Sequence, residues 1–122
     1  MTAVLDASAV LAFLLDEDGV EVVSEALEGE TCCSAANWSE VVQKTLAVGR
    51  NWYLVRALLF GYGLRIEPVV AADAEWAAHR WRRGEGLSLA DRLCMALAER
   101  LDADVLTADT AWGAAGRVRQ IR

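Results

Sequence analysis

Four carboxylates stand where apolar stretches meet polar sequence. Asp6 follows Thr2-Ala-Val-Leu5, Asp109 follows Val105-Leu-Thr107 and Ala108, and Glu40 and Asp91 open helical patterns. Carboxylates gathered at one rim repel one another, so a fold that converges them needs hard divalent cations or shared protons. With oxygen ligands and no Cys/His spacing of the zinc type, the matching cation is Mg²⁺ or Mn²⁺. The hydroxyls of Ser8 and Thr107 lie two residues from Asp6 and Asp109, placed to hydrogen-bond ligands, waters or substrate. Taken singly, each residue also has an ordinary reading. Asn37 with Glu40 and Ser88 with Asp91 have capping-box spacing, Asp6 and Asp109 can cap the helices after them, and Glu40 has Lys44 at i+4. Only the joint arrangement favours a site.

Positioning these acids falls to alternating strands and helices. Thr2–Leu5 reads as a strand and Ser8–Leu15 as a buried helix, followed by an amphipathic helix over Gly19–Leu27 and a short strand over Thr31–Ser34. Trp38, Val41, Val42, Thr45 and Leu46 fall on one helical stripe, stopped by Gly49. A helix over Asn51–Tyr62 and a strand over Leu64–Glu67, before Pro68, come next. Ala71–Arg83 reads as a helix ending at Gly84, and Ser88–Leu101 as another with Leu89, Leu93, Ala96, Leu97 and Leu101 inward. Val105–Thr107 is a fourth strand and Val118–Ile121 an edge strand. Such alternation predicts a mainly parallel α/β sheet whose ligands collect beyond the carboxyl ends of the strands.

The chain has 122 residues and 55% hydrophobic content with one Pro, which predicts a single domain over 1–122 and excludes a disordered regulator. The longest nearly apolar run, Ala7–Leu15, falls short of the roughly 20 residues of a membrane span. No basic residue precedes Asp6, unlike a secretory signal, so the expected compartment is the cytosol. Cys32 and Cys33, adjacent in a strand and so on opposite faces, and Cys94 in a helix then read as reduced core thiols. The net charge of −6 lies entirely in Met1–Gly61, where nine acidic side chains face three basic ones. That balance supplies no general attraction for phosphate, so a nucleic-acid role must rest on bound cations or on a local patch. The segment His79-Arg-Trp-Arg-Arg83 is one such patch. Arg80, Arg82 and Arg83 suit phosphates, and Trp81 suits an unpaired base. With equal weight, the arginines complete a helix end and Trp81 packs inward with Trp76. His79 reads as a surface residue, and Trp38, Trp52 and Trp112 as core or interface.

The segments Val4-Leu-Asp-Ala-Ser8, Asn37-Trp-Ser-Glu-Val41, Ser88-Leu-Ala-Asp-Arg-Leu-Cys-Met-Ala-Leu97 and Val105-Leu-Thr-Ala-Asp-Thr-Ala-Trp112 resemble the four ordered motifs of PIN-domain ribonucleases, especially VapC-type toxins. The resemblance spans the chain. It implies a PIN-like three-layer α/β/α fold with a five-stranded, mainly parallel sheet, and a Mg²⁺- or Mn²⁺-dependent endoribonuclease. Asp6, Glu40, Asp91 and Asp109 would form the acidic set, with Asp6, Asp91 and Asp109 on the metal and Ser8, Asn37 and Thr107 in support. Attack by water would leave a 5′-phosphate and a 3′-hydroxyl. Expected partners are RNA, a small antitoxin and a second copy of the chain, in a homodimer and a toxin–antitoxin hetero-oligomer, with no membrane. Thr110 stands where a further acid would add a ligand. A PIN-like module turned to binding alone would lack one of the acids, and all four are present. An aspartyl-phosphate protein fits less well, because Asp6-Ala-Ser8 is not Asp-x-Asp and the only lysine, Lys44, follows no strand.

Overall fold

The structure is a computed structural model that describes residues 2–122. Five strands, β1 (Thr2–Leu5), β2 (Glu30–Ser34), β3 (Arg65–Glu67), β4 (Asp104–Thr107) and β5 (Val118–Gln120), form one sheet in the order β3-β2-β1-β4-β5, every pair parallel. Parallel neighbours need long crossovers. These are helices α1 (Ala7–Leu14) and α2 (Val20–Leu27), then α3 (Ala35–Ala47) and α4 (Trp52–Gly61), then α5 (Ala71–Arg80) and α6 (Leu89–Leu101). A 3₁₀ turn, Thr110–Trp112, bridges β4 to β5.

The strands alternate their side chains between two cores. Leu5, Cys33 and Leu106 pack with α1, α2, Val41 of α3 and Val55 and Leu59 of α4, whereas Val4, Cys32 and Val105 pack with Cys94, Met95, Leu97 and Ala98 of α6 and with Trp76 of α5. This is the expected three-layer α/β/α architecture. The adjacent cysteines do face opposite ways, and all three thiols are buried and unpaired. Burying side chains such as Leu5 and Leu97 fully contributes roughly 1.5–3 kcal/mol each.

The chain runs from β1 outward through β2 to β3, then returns to the other side of β1 for β4 and β5. The order therefore reverses between β1 and β4, and the carboxyl edge there is the crevice in which open parallel sheets bind ligands. Helix α3 touches both α1 and α6, which lie on opposite faces, so it crosses this edge.

Several local expectations are corrected. Helix α5 stops at Arg80 rather than Arg83, because Trp81 is extended (φ −60°, ψ 136°) and the Arg82 guanidinium donates to the carbonyls of His79 (2.9 Å) and Trp81 (3.0 Å). Trp81 does not pack inward with Trp76; it is 49% exposed. Leu89 and Leu46, both assigned to inward stripes, are 58% and 57% exposed. Each sits in a terminal turn of its helix, where the stripe continues past the last neighbour that could cover it. Helix α3 is capped by Ser34, whose hydroxyl accepts from the Ala36 N–H at 3.3 Å, so Asn37 and Glu40 form no capping box there.

Candidate active site

Asp6 is the first residue beyond β1 and the N-cap of α1. Its Oδ1 accepts from the Ala9 N–H at 2.8 Å and the Ser8 hydroxyl at 2.7 Å; its Oδ2 accepts from the Thr107 hydroxyl at 2.6 Å. The residue is only 3% exposed. Burial pushes its carboxyl up to about 6 from an ordinary 3.8; the bonds from Thr107, Ser8 and Ala9 pull it back, and the charge of Asp91 adds to the rise.

The same hydroxyls join β1 to β4. Ser8 Oγ accepts from the Ala108 N–H at 2.8 Å, and Thr107 Oγ1 accepts from the Asp109 N–H at 3.0 Å. Two side chains 99 positions apart, with oxygens 3.3 Å from each other, thus hold Asp6 and the backbone of Asp109 on one frame. Asp109 is exposed, and its Oδ1 caps the 3₁₀ turn by accepting from the Ala111 N–H at 2.9 Å.

Asp91 lies half-buried in the first turn of α6. It forms the expected capping box, accepting from the Ser88 N–H at 2.9 Å while its own N–H donates to the Ser88 hydroxyl at 3.0 Å. Glu40 is half-buried in the second turn of α3. Burial raises the Cys33 thiol above its ordinary value, and the charges of Asp6, Cys32 and Glu40 add to the rise. Asn37 is 1% exposed, and its side-chain oxygen has no hydrogen-bond partner among the described residues.

The structure therefore brings Asp6, Ser8, Thr107 and the Asp109 backbone together through hydrogen bonds, with Asp91 close enough for its charge to act on Asp6; among the described residues no hydrogen bond or ion pair joins Glu40 to them. It leaves the Asp91 and Asp109 carboxylates on caps, and among the described residues no three His, Cys, Asp or Glu side chains form a ready-made metal cluster. The capping reading thus holds for Asp6, Asp91 and Asp109 and fails for Glu40. Capping alone does not account for the charge: none of the ion pairs among the described residues includes Asp6, Glu40, Asp91 or Asp109. Carboxylates without a cationic partner are oxygen donors of the kind a hard cation takes.

The three arginines of the α5–α6 turn are not equivalent. Arg80 makes a two-pronged pair with Glu85 at 2.6 and 3.0 Å, Arg82 is tied to backbone carbonyls, and Arg83 lies over the Trp81 ring at 5.5 Å. Sequence reasoning missed Gln120. Its amide donates to the carbonyls of Asp109 (2.9 Å) and Gly113 (2.7 Å), pinning the loop that carries Asp109. One glutamine near a chain end carries no sequence signal for that role.

Comparison with known proteins shows the family and the fold. The PIN domain family matches residues 3–118, and the chain belongs to that family. A VapC ribonuclease of Mycobacterium bovis and ribonuclease VapC42 of Mycobacterium tuberculosis are each 36% identical to it over 107 residues, covering 79% of this chain and 82% of theirs. The fold is shared with a toxin–antitoxin complex from Klebsiella pneumoniae (TM-score 0.78, 16% identity, 98% of both chains). It is shared also with VapC20 of Mycobacterium tuberculosis, a Sarcin-Ricin loop cleaving toxin (TM-score 0.73, 18% identity, 93% of this chain and 95% of that one). Among the described residues no helix is long and apolar enough to cross a membrane.

Proposed function

We propose that the chain is a divalent-metal-dependent endoribonuclease toxin restrained by a small antitoxin protein. The observation that carries this is Asp6: a carboxylate buried at the sheet's switch point, held by three donors, with the charge of Asp91 acting on it and, among the described residues, no cationic side chain paired to either. The named activity of the VapC relatives supports the same reading. Asp6, Asp91 and Asp109 would hold Mg²⁺ or Mn²⁺, with Glu40 as the fourth acid. A bound ion of this kind stabilises charge on a phosphate and lowers the pKa of water. The chain's own contribution is order. Thr107 and Ser8 fix both Asp6 oxygens, Gln120 and Thr107 fix the Asp109 backbone, and Asn37 offers a buried acceptor. Because the nucleophile is water, the products carry a 5′-phosphate and a 3′-hydroxyl, and a 2′-deoxy substitution at the cut permits cleavage.

Arg82 and Arg83, with Arg80 released from Glu85, supply phosphate contacts beside α6. Leu46, Val48, Tyr53, Leu54 and Leu58 leave an exposed apolar surface on α3 and α4 that suits a protein partner or a second copy of the chain. An arginine of the antitoxin would neutralise the acidic edge. EDTA should abolish cleavage of single-stranded RNA, and Mg²⁺ or Mn²⁺ should restore it. Cleavage that persists in metal-free buffer, and vanishes in the Asp91→Asn protein purified alongside, would overturn the metal dependence.

A further inference from the structure

A cavity of about 250 Å³ opens between α5, α6 and the segment running from the 3₁₀ turn to β5. Its lining includes the indoles of Trp76 and Trp112, with Met95, Val118 and Ala115. Its near end, at Met95 and Trp112, connects to the acidic edge in two ways, while Ala98, Glu99 and Arg117 line its far end toward the start of β5. Trp112 closes the 3₁₀ turn that Asp109 caps, and Met95 lies one helical turn past Asp91, about 6 Å along the axis. Arg80 and Arg117 also line it.

We propose that this cavity receives one unpaired nucleobase of the RNA strand whose phosphate lies at the acidic edge. The proposal rests on the ribonuclease reading above and adds where sequence preference is read. Its size is below the roughly 300–1,000 Å³ of sites for drug-sized ligands, which suits one ring system. Two indoles in the lining favour a flat aromatic guest, since bases stack on aromatic side chains whatever their identity. Trp112 is 7% exposed, and its indole N–H, shielded from solvent, has no acceptor among the described residues. Among the described residues Arg80 is paired only with Glu85, and Arg117 only with Glu99 and Asp102. Such solvent-exposed pairs are weak, and a guanidinium exchanges a carboxylate for a phosphate with the same two-pronged geometry.

The test is photocrosslinking of the intact protein, in EDTA, to single-stranded RNA oligomers carrying one thio-substituted base at successive positions. At one position the crosslink is expected in the peptide containing Trp76 or Trp112. Ala115→Leu, which fills the cavity from an exposed loop site, should lower that crosslink at least about 10-fold with the thermal unfolding midpoint unchanged. Trp76→Ala should weaken binding of the same oligomer by about 5- to 150-fold, the range for one stacked base. RNA that binds and is cut in Mg²⁺, yet crosslinks only elsewhere or equally in Ala115→Leu, overturns the base pocket and leaves the ribonuclease reading standing. Protein that neither binds nor cuts RNA overturns both.

Discussion

Asp6 is held in place by the same enclosure that makes its charge costly. Its folded pKa of about 6 exceeds the ordinary 3.8, so the native state binds the proton more readily than the unfolded chain does. The stabilisation this gives is fully present below pH 3.8 and is lost as pH rises through 6, at a cost of order 3 kcal/mol above that window. In EDTA, the melting temperature should therefore fall between about pH 4 and 7. Asparagine is as good an N-cap as aspartate. Asp6→Asn should flatten that fall, raise the metal-free melting temperature at pH 7 and abolish RNA cleavage; a lower melting temperature at pH 7 would mean that capping, not charge burial, dominates. Thr107→Val removes the donor to Asp6 Oδ2 and the acceptor of the Asp109 N–H. It should cost about 1–3 kcal/mol in chemical denaturation and move the acid limb of the pH–activity profile upward.

At the scale of elements, the α5–α6 turn departs most from the sequence pattern, because helix α5 ends at Arg80 and leaves Trp81 to Arg83 outside it. Arginines around Trp81 were legible as a cluster, but not which of them are occupied. Arg80 is committed to Glu85, five positions on, across a turn that contains Gly84 with φ +79°. Freeing it with Glu85→Gln should steepen the dependence of log affinity on log salt by roughly 0.7, and replacing Arg82 and Arg83 with Ala should flatten it by as much per lost contact. The measurement is a salt series on Asp91→Asn protein in Ca²⁺, so that cleavage does not distort binding. A slope unmoved by either change would remove this turn from the RNA path.

At the scale of the whole molecule, acidic net charge and exposed apolar side chains on α3 and α4 are both unusual for a nuclease working alone. Tyr53 and Leu54 are 82% and 70% exposed in one helical turn. If a partner covers them, Leu54→Glu should weaken the copurified complex by about 10-fold or more, a loss of roughly 1.4 kcal/mol or greater, and leave the melting temperature of the isolated chain within a degree or two. A complex equally stable in the variant would place the partner elsewhere.

The order of strands and helices, the opposite facing of Cys32 and Cys33, and the position of Asp6 and Asp109 just past strand ends were all readable from residue types and periodicity, because those signals are local. The Ser88–Asp91 box was readable for the same reason. The Ser34 cap was not, since Ser34 reads equally well as the last residue of a strand. Nor could the sequence state that Thr107 donates to a carboxylate 101 positions away, that Gln120 pins the Asp109 loop, or that Leu46 and Leu89 face solvent. Each of those depends on which elements become neighbours when β4 returns to the far side of β1. Hydrophobic period marks a buried face but not where its covering ends, and burial decides the charge of Asp6. Those are properties of the packed sheet edge, and only the tertiary structure brings them into being.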